Sequence, residues 1–215
     1  MLGDDVVDLG DPEAAPGAAH PGFDARVFAA RERAWIAASG DPTRARWCLW
    51  AAKESAYKLA RRLDPAARFH PARFAVELDP ETLRGRVLWP GGAACARLRL
   101  AGDAVHALAF PAREDEARLL HGVARLEPGA EPSRAARALA VGRVAARLGL
   151  DGAALRVERR ERIPTLRLPD GRALDLSLSH HGRFASFACA PGARPPTRDP
   201  LPAARTGAAL AGAAQ

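Results

Sequence analysis

The sequence predicts an α+β fold built from two similar halves, each a helix followed by a small antiparallel sheet. Three observations carry this. The order of a helix and then several short strands occurs twice, once within residues 1–127 and once within 128–190. The halves close on comparable segments, Gly102-Asp103-Ala104-Val105-His106-Ala107-Leu108-Ala109 and Gly182-Arg183-Phe184-Ala185-Ser186-Phe187-Ala188-Cys189. Between them, Glu127-Pro128-Gly129-Ala130-Glu131-Pro132 interrupts any regular element. An internal duplication with a boundary at that break follows.

Residues 5–9, Asp-Val-Val-Asp-Leu, predict a short strand at the N-terminus. Residues 10–22, rich in proline and glycine, predict a loop. One helix is expected over 23–39, with Val27, Ala30 and Trp35 toward the core. Asp41 followed by Pro42 reads as an N-cap with proline in the first turn, opening a long helix that ends near Leu63. Four short strands follow over 74–78, 84–88, 96–100 and 104–110. Residues 114–126 are expected to be helical. Past the break, Ser133 is expected to cap a helix with Val141, Val144, Ala145 and Leu148 on one face, ending near Gly149. Strands are then expected over 155–159, 165–168, 174–179 and 184–190. Residues 191–215 hold mostly proline, alanine and glycine and predict a disordered tail.

The chain carries a formal net charge of +7, which suits an acidic partner or a phosphate-bearing ligand. Its arginines are dispersed, which argues against a dedicated nucleic-acid arm without excluding nucleic-acid binding. Cys48, Cys95 and Cys189 are odd in number and widely spaced, so neither a disulfide framework nor a zinc site is expected. The acidic start, Met1-Leu2-Gly3-Asp4-Asp5, does not read as a secretory signal, and no apolar run is long enough to span a bilayer. A cytoplasmic protein is the expectation.

Only two lysines occur, Lys53 and Lys58, and both lie in the run Trp50-Ala51-Ala52-Lys53-Glu54-Ser55-Ala56-Tyr57-Lys58. Where arginine serves everywhere else, these two mark places that need a compact point charge. Glu54 and Lys58 stand one turn apart on one helix face, with Trp50 a turn earlier and Lys53 about 100° round the helix from Glu54. Alone this would read as a solvated i,i+4 pair. Two other patches offer related chemistry. Gly3-Asp4-Asp5 places a carboxylate, a hard oxygen ligand, on a strand whose glycine permits close approach. Ser177-Leu178-Ser179-His180-His181-Gly182 ends a strand in a tight turn, where a hydroxyl, an imidazole and turn amides could grip phosphate oxygens. Alone, the acidic strand would read as surface, and the histidine turn could equally be surface or site. The paired histidines also suggest a transition metal, but no third histidine or cysteine lies at ligand spacing.

Taken together and in this order, Gly3-Asp4-Asp5, Trp50 to Lys58 and Ser179-His180 resemble the 4′-phosphopantetheinyl transferase superfamily. The lysine–glutamate helix is the most specific of the three signatures, and the resemblance extends through most of residues 1–190. It implies a pseudo-two-fold pair of halves with the site in the cleft between them. Their order is permuted relative to the larger, surfactin-synthetase-activating type. It also implies a monomer, because both walls of the cleft come from one chain. Carried over residue by residue, Asp5 and Glu54 match the magnesium ligands, and the resemblance implies that Glu54, or a water held by the metal, takes the proton from the attacking serine. Lys58 matches the lysine that meets the diphosphate, and Ser179 and His180 match the pair that binds coenzyme A phosphates. Lys53 is grouped with these cofactor contacts. Val7 stands where the larger type often has a second acid, and Arg162-Ile163-Pro164 stands where Gly-Lys-Pro is common, so Arg162 is expected to substitute as a phosphate contact.

The implied reaction moves phosphopantetheine from coenzyme A to a serine of an acidic apo carrier protein and releases 3′,5′-ADP, with Mg2+ required. The same residues admit a degenerate member that binds coenzyme A or a carrier without transfer. A third reading, an arginine-rich nucleic-acid-binding module, predicts basic residues clustered among aromatics, and here the aromatics are scattered.

Overall fold

The computed structural model describes residues 1–111, 113–160 and 163–190; Arg162 and the expected tail, residues 191–215, lie outside the described residues. The first half comprises β1 (Gly3–Asp8), α1 (Phe23–Val27), α2 (Ala30–Ala38), α3 (Pro42–Leu63), β2 (Ala75–Leu78), β3 (Arg84–Trp89), β4 (Gly92–Ala101) and β5 (Ala104–Phe110). The second comprises β6 (Leu120–Arg125), α4 (Pro132–Leu148), β7 (Arg156–Arg160), β8 (Ile163–Arg167), β9 (Ala173–His181) and β10 (Phe184–Ala190).

Each half forms a five-stranded antiparallel sheet, in the orders β1-β5-β4-β3-β2 and β6-β10-β9-β8-β7. The topology is identical. The first strand pairs with the last, a helix crosses the sheet, and the remaining strands meander back. The likeness between residues 102–109 and 182–189 has a structural cause. Both segments begin with a two-residue hairpin turn, Gly102-Asp103 or Gly182-Arg183, whose glycine takes a positive φ of 58° or 50°. Only glycine adopts that geometry without strain at the first turn position.

Three sequence expectations are corrected. Residues 23–39 do not make one helix; Phe28 is extended at φ −114°, ψ 137° and separates α1 from α2. Burial of the Phe28 side chain in the core fixes that break. Residues 114–126 are not helical either: a short 3-10 stretch over Arg113–Arg118 leads into β6. β6 pairs with β10, some sixty positions away, so no local pattern could reveal it. The second sheet therefore starts at Leu120, ahead of the Pro/Gly break. The cap of α4 is Glu131, whose carboxylate accepts from the N–H groups of Ser133 and Arg134, with Pro132 in the first turn.

Helix α3 packs on one face of the first sheet, where Ala52, Ala56 and Leu59 meet Val7, Val105, Ala107 and Ala109. Helix α4 does the same on the second, with Ala140 and Val144 against Leu166, Leu176 and Phe187. The opposite faces of the two sheets meet through two small apolar clusters. Leu2, Leu108, Phe110, Leu119 and Ala188 form one, and Val6, Ala104 and Phe184 the other. Strand alternation explains the partition: in β5, Val105, Ala107 and Ala109 face the helix, while Ala104, Leu108 and Phe110 face the joint.

β1 is the edge strand of the first sheet, yet all six of its residues are buried. Its free edge is covered by β9, through side chains and not through a ladder. Asp4 N–H donates to Ser177 Oγ (2.9 Å) and Asp8 N–H to His181 Nδ1 (3.1 Å). At the far end Arg183 clamps Asp8, with Nε and Nη2 at 2.7 and 2.6 Å from its oxygens. That guanidinium, working against the cost of burial and aided by backbone N–H groups, holds the Asp8 carboxyl down at about 2. Side chains of one half thus satisfy the exposed edge of the other, which leaves no template for strand addition there.

Candidate active site

Gly3 determines how closely β1 approaches α3. A Cβ built on it would lie 2.0 Å from the Ser55 carbonyl oxygen and 2.9 Å from the Leu59 nitrogen, both backbone atoms that cannot move aside. Gly3→Ala is expected to push β1 off α3 and destabilise the protein by about 1–3 kcal/mol, as overpacking does. A urea-unfolding midpoint equal to wild type would show that the approach is not as tight as described.

This close approach brings Asp5 to α3. Its Oδ1 accepts from Lys58 Nζ at 2.9 Å and from Ser179 Oγ of β9 at 2.7 Å, and the Lys58 ammonium also donates to the Asp4 carbonyl at 2.8 Å. Among the described residues Asp5 Oδ2 makes no hydrogen bond, and neither does the Glu54 carboxylate one turn before Lys58. Burial pushes the Glu54 carboxyl up, the Asp5 charge pushes it further, and Lys58 pulls back; the result is about 7. For Lys58, burial acts downward, but the Asp5 and Asp4 carboxylates outweigh it and leave the ammonium above its usual range. Two carboxylates therefore crowd one place, with free oxygens and a single ammonium to balance them. This fits a divalent cation with hard oxygen ligands, which Asp5 and Glu54 would supply.

Lys58 also borders a cavity of about 210 Å3, lined in addition by Arg61, Arg62 and Arg159 and by Ile163, Pro164, Ser177 and Leu178. It lies between the halves, α3 on one side and β7 to β9 on the other. Lys58, Arg61 and Arg159 give so small a cavity a cationic lining that suits an anionic ligand, while the Arg62 charge is matched by Asp175 at 3.5 Å. Arg62 also ties the walls together: its guanidinium donates to the carbonyls of Leu176 and Pro164. Grooves of about 450 and 520 Å3 occur elsewhere, beyond the end of α3 and beside α2, but neither contains an acid paired with a lysine.

The expected site residues divide. Asp5, Glu54, Lys58 and Ser179 meet at the junction of β1, α3 and β9. His180 does not join them. Neighbours on a strand face opposite ways, so while Ser179 points at Asp5, His180 is exposed on the other side, its Nε2 3.4 Å from Ser133 Oγ. Lys53 is a correction: it is 0% exposed, and its ammonium is spent on Glu32 (2.8 Å to each oxygen) and on the carbonyls of Pro71 and Phe74. It faces the core because it sits about 100° round the helix from Glu54. Arg162 lies outside the described residues. The sequence reading did not single out Arg61 and Arg62, although they continue the Glu54–Lys58 face at i+7 and i+8. Nothing local marked Arg159.

His181 lies within reach of Asp11 and Glu13, and the three could be taken for metal ligands. The Asp8 N–H that points at Nδ1 requires Nδ1 to accept, which leaves the proton on Nε2. A ligating histidine normally donates through its second nitrogen, so this cluster does not have the arrangement of a metal site.

Helix α4 contains no acid and no lysine, so the duplicated topology offers this chemistry only once. No curated protein matches the chain. A family model described as the 4′-phosphopantetheinyl transferase superfamily matches residues 1–109, just over half of the sequence and the part that carries Asp5, Glu54 and Lys58. By that match, and by two duplicated α+β halves that meet at a carboxylate–lysine cleft, the chain belongs to the 4′-phosphopantetheinyl transferase superfamily.

Proposed function

We propose that this protein moves 4′-phosphopantetheine from coenzyme A to a serine hydroxyl of an apo carrier protein and releases 3′,5′-ADP. The observation that carries the reading is the meeting of Asp5, Glu54 and Lys58, of which Lys58 also borders a cavity lined by arginines. A diphosphate seated there would find Lys58, Arg61 and Arg159 around its oxygens, with Arg62, bound to Asp175 and two carbonyls, forming the floor. The serine Oγ attacks the phosphorus that bears pantetheine, the bond from that phosphorus to the bridging oxygen breaks, and the leaving oxygen departs with 3′,5′-ADP. Glu54 takes the serine proton. Lys58 neutralises charge on the diphosphate, and its second bond, to the Asp4 carbonyl, keeps it aimed. Asp5 and Glu54 would hold magnesium, which when bound neutralises phosphate charge in the same way. Ser179 orients Asp5. His180 and Arg162 remain candidate contacts for phosphate groups more distant from the reacting centre, and Lys53 is withdrawn from that set.

The net positive charge suits an acidic carrier through electrostatic steering. Both walls of the cleft come from one chain, so a monomer suffices. No helix among the described residues is long and apolar enough to cross a membrane. Cys48, Cys95 and Cys189 are unpaired, as thiols are in a reducing cytoplasm, and the cytoplasmic reading rests on that.

Intact-protein mass spectrometry of a panel of apo carrier proteins, incubated with this protein, coenzyme A and magnesium, tests the reading. The expected outcome is a gain of one phosphopantetheine on at least one carrier, lost when coenzyme A is omitted. Coenzyme A binding without any gain would favour the degenerate alternative instead.

A further inference from the structure

Strand β1 presents Asp5 to the cleft and, by alternation, Asp4 to the joint between the sheets. Asp4 is 0% exposed, and each of its polar groups engages a different element. Its N–H donates to Ser177 Oγ of β9 at 2.9 Å, and its carbonyl accepts from Lys58 Nζ of α3 at 2.8 Å. Its Oδ2 accepts from Ser186 Oγ of β10 at 2.6 Å and lies 3.5 Å from His106 Nε2 of β5. His106 is 2% exposed. Asp4 Oδ1 and His106 Nε2 have no hydrogen-bond partner within the described protein. A buried polar atom without a partner is costly. The joint has no need of polarity for its own stability: immediately on either side it is closed by Leu2 with Leu108 and by Val6 with Ala104.

The geometry points to Asp4 and His106 as positioning residues for the site, a buried polar pin that fixes β1 and thereby aims Asp5. The peptide that joins Asp4 to Asp5 is held from both ends, since Lys58 Nζ bonds the Asp4 carbonyl and the Asp5 carboxylate together. Anchoring the Asp4 side chain to Ser186 of β10, with His106 of β5 packed 3.5 Å from the same oxygen, restricts the remaining freedom of that peptide, by roll or by slide along β9. Carboxylates that must meet a cation and a diphosphate tolerate displacements of only about 0.5 Å. An apolar residue at position 4 would fill the joint but let the strand settle wherever packing was best. This inference rests on the transferase reading for its activity arm alone.

The test uses Asp4→Asn, which keeps the volume and an acceptor for Ser186, together with His106→Phe and the double variant, all in the full chain. The readouts are transfer kinetics, Mn2+ affinity by calorimetry without coenzyme A, and the thermal midpoint. Each single variant is expected to lower kcat about tenfold or more, since small misplacements are expensive, with KM for coenzyme A within about twofold. Mn2+ affinity should weaken about tenfold, as it does when groups behind a metal ligand are altered. The double variant should be no worse than the worse single, as expected of residues that act as a unit. Unchanged kcat and Mn2+ affinity with only a lower thermal midpoint would overturn the inference, and so would additive losses. Should a single variant fail to fold, Ser186→Ala, which deletes only the hydroxyl on Asp4 Oδ2, decides by the same readouts. A wild type that binds Mn2+ but modifies no carrier defeats the transferase reading alone, and the Mn2+ series then decides the pin. A wild type that does neither overturns both.

Discussion

Glu32→Ala is expected to lower the unfolding free energy by about 3–5 kcal/mol, the usual cost of stranding a buried charge. Lys53 is wholly enclosed and Glu32 is 4% exposed. Burial pulls the Lys53 ammonium below its usual range, and only the Glu32 carboxylate opposes this. Glu32 in turn accepts from the N–H groups of Val76 and Ala29, both at 2.7 Å, so one carboxylate ties α2, α3 and the start of β2 together. Truncating it leaves three donors facing an apolar space. Lys53→Met leaves the carboxylate stranded instead and should destabilise by a similar amount. The double replacement Lys53→Met with Glu32→Leu should recover only part of the loss: it removes the stranded charge, but leaves the Val76 and Ala29 N–H groups and the Pro71 and Phe74 carbonyls without these partners. Urea unfolding of the four proteins at constant m checks this; additive losses would show that the two side chains act separately.

That pair shows what the sequence could and could not disclose. The scarcity of lysine singled out two positions as candidates for site chemistry, and at both the ammonium converges on several protein acceptors. Which one faced the cleft was open to helical geometry, since Lys53 is rotated away from Glu54. Burial decided it, and burial depends on segments far along the chain: Glu32 on α2 and the carbonyls of Pro71 and Phe74.

The repeated order of helix and strands was legible because each half is locally regular and both closing turns need glycine at the same place. Strand β6 was not, because its partner is β10 and its own composition follows a charged, helix-prone stretch. The same limit applies to the cleft. Glu54 and Lys58 stood out by residue type and spacing, and Asp5 and Ser179 through the resemblance of their motifs to the family. The side chains that aim them or close the far wall, Asp4, Ser186, His106 and Arg159, come from four strands whose proximity is a tertiary fact.

Divalent-cation affinity should rise about tenfold per pH unit up to pH 7 and level off above it, because one proton must leave Glu54 before it can ligate. The direction follows from the carboxyl being raised from an ordinary 4.5 to about 7 in the metal-free fold. Between those values the folded protein keeps a proton that the unfolded chain has released, so metal-free stability falls as pH rises across that window. A bound cation reverses the sign, since it favours the ionised form, and its stabilising effect should therefore be largest above pH 7. Glu54→Gln removes the titration: metal affinity becomes weak and flat with pH, and metal-free stability loses its fall between pH 4.5 and 7. Transfer should drop about 10^2- to 10^4-fold, the range for loss of a general base, while coenzyme A still binds through Lys58 and the arginines. Calorimetric Mn2+ titrations from pH 5.5 to 8.5 on both proteins read this directly. A wild-type profile as flat as that of Glu54→Gln would mean that the crowding of Asp5 and Glu54 does not hold a proton at neutrality, and the serine proton would then need another acceptor.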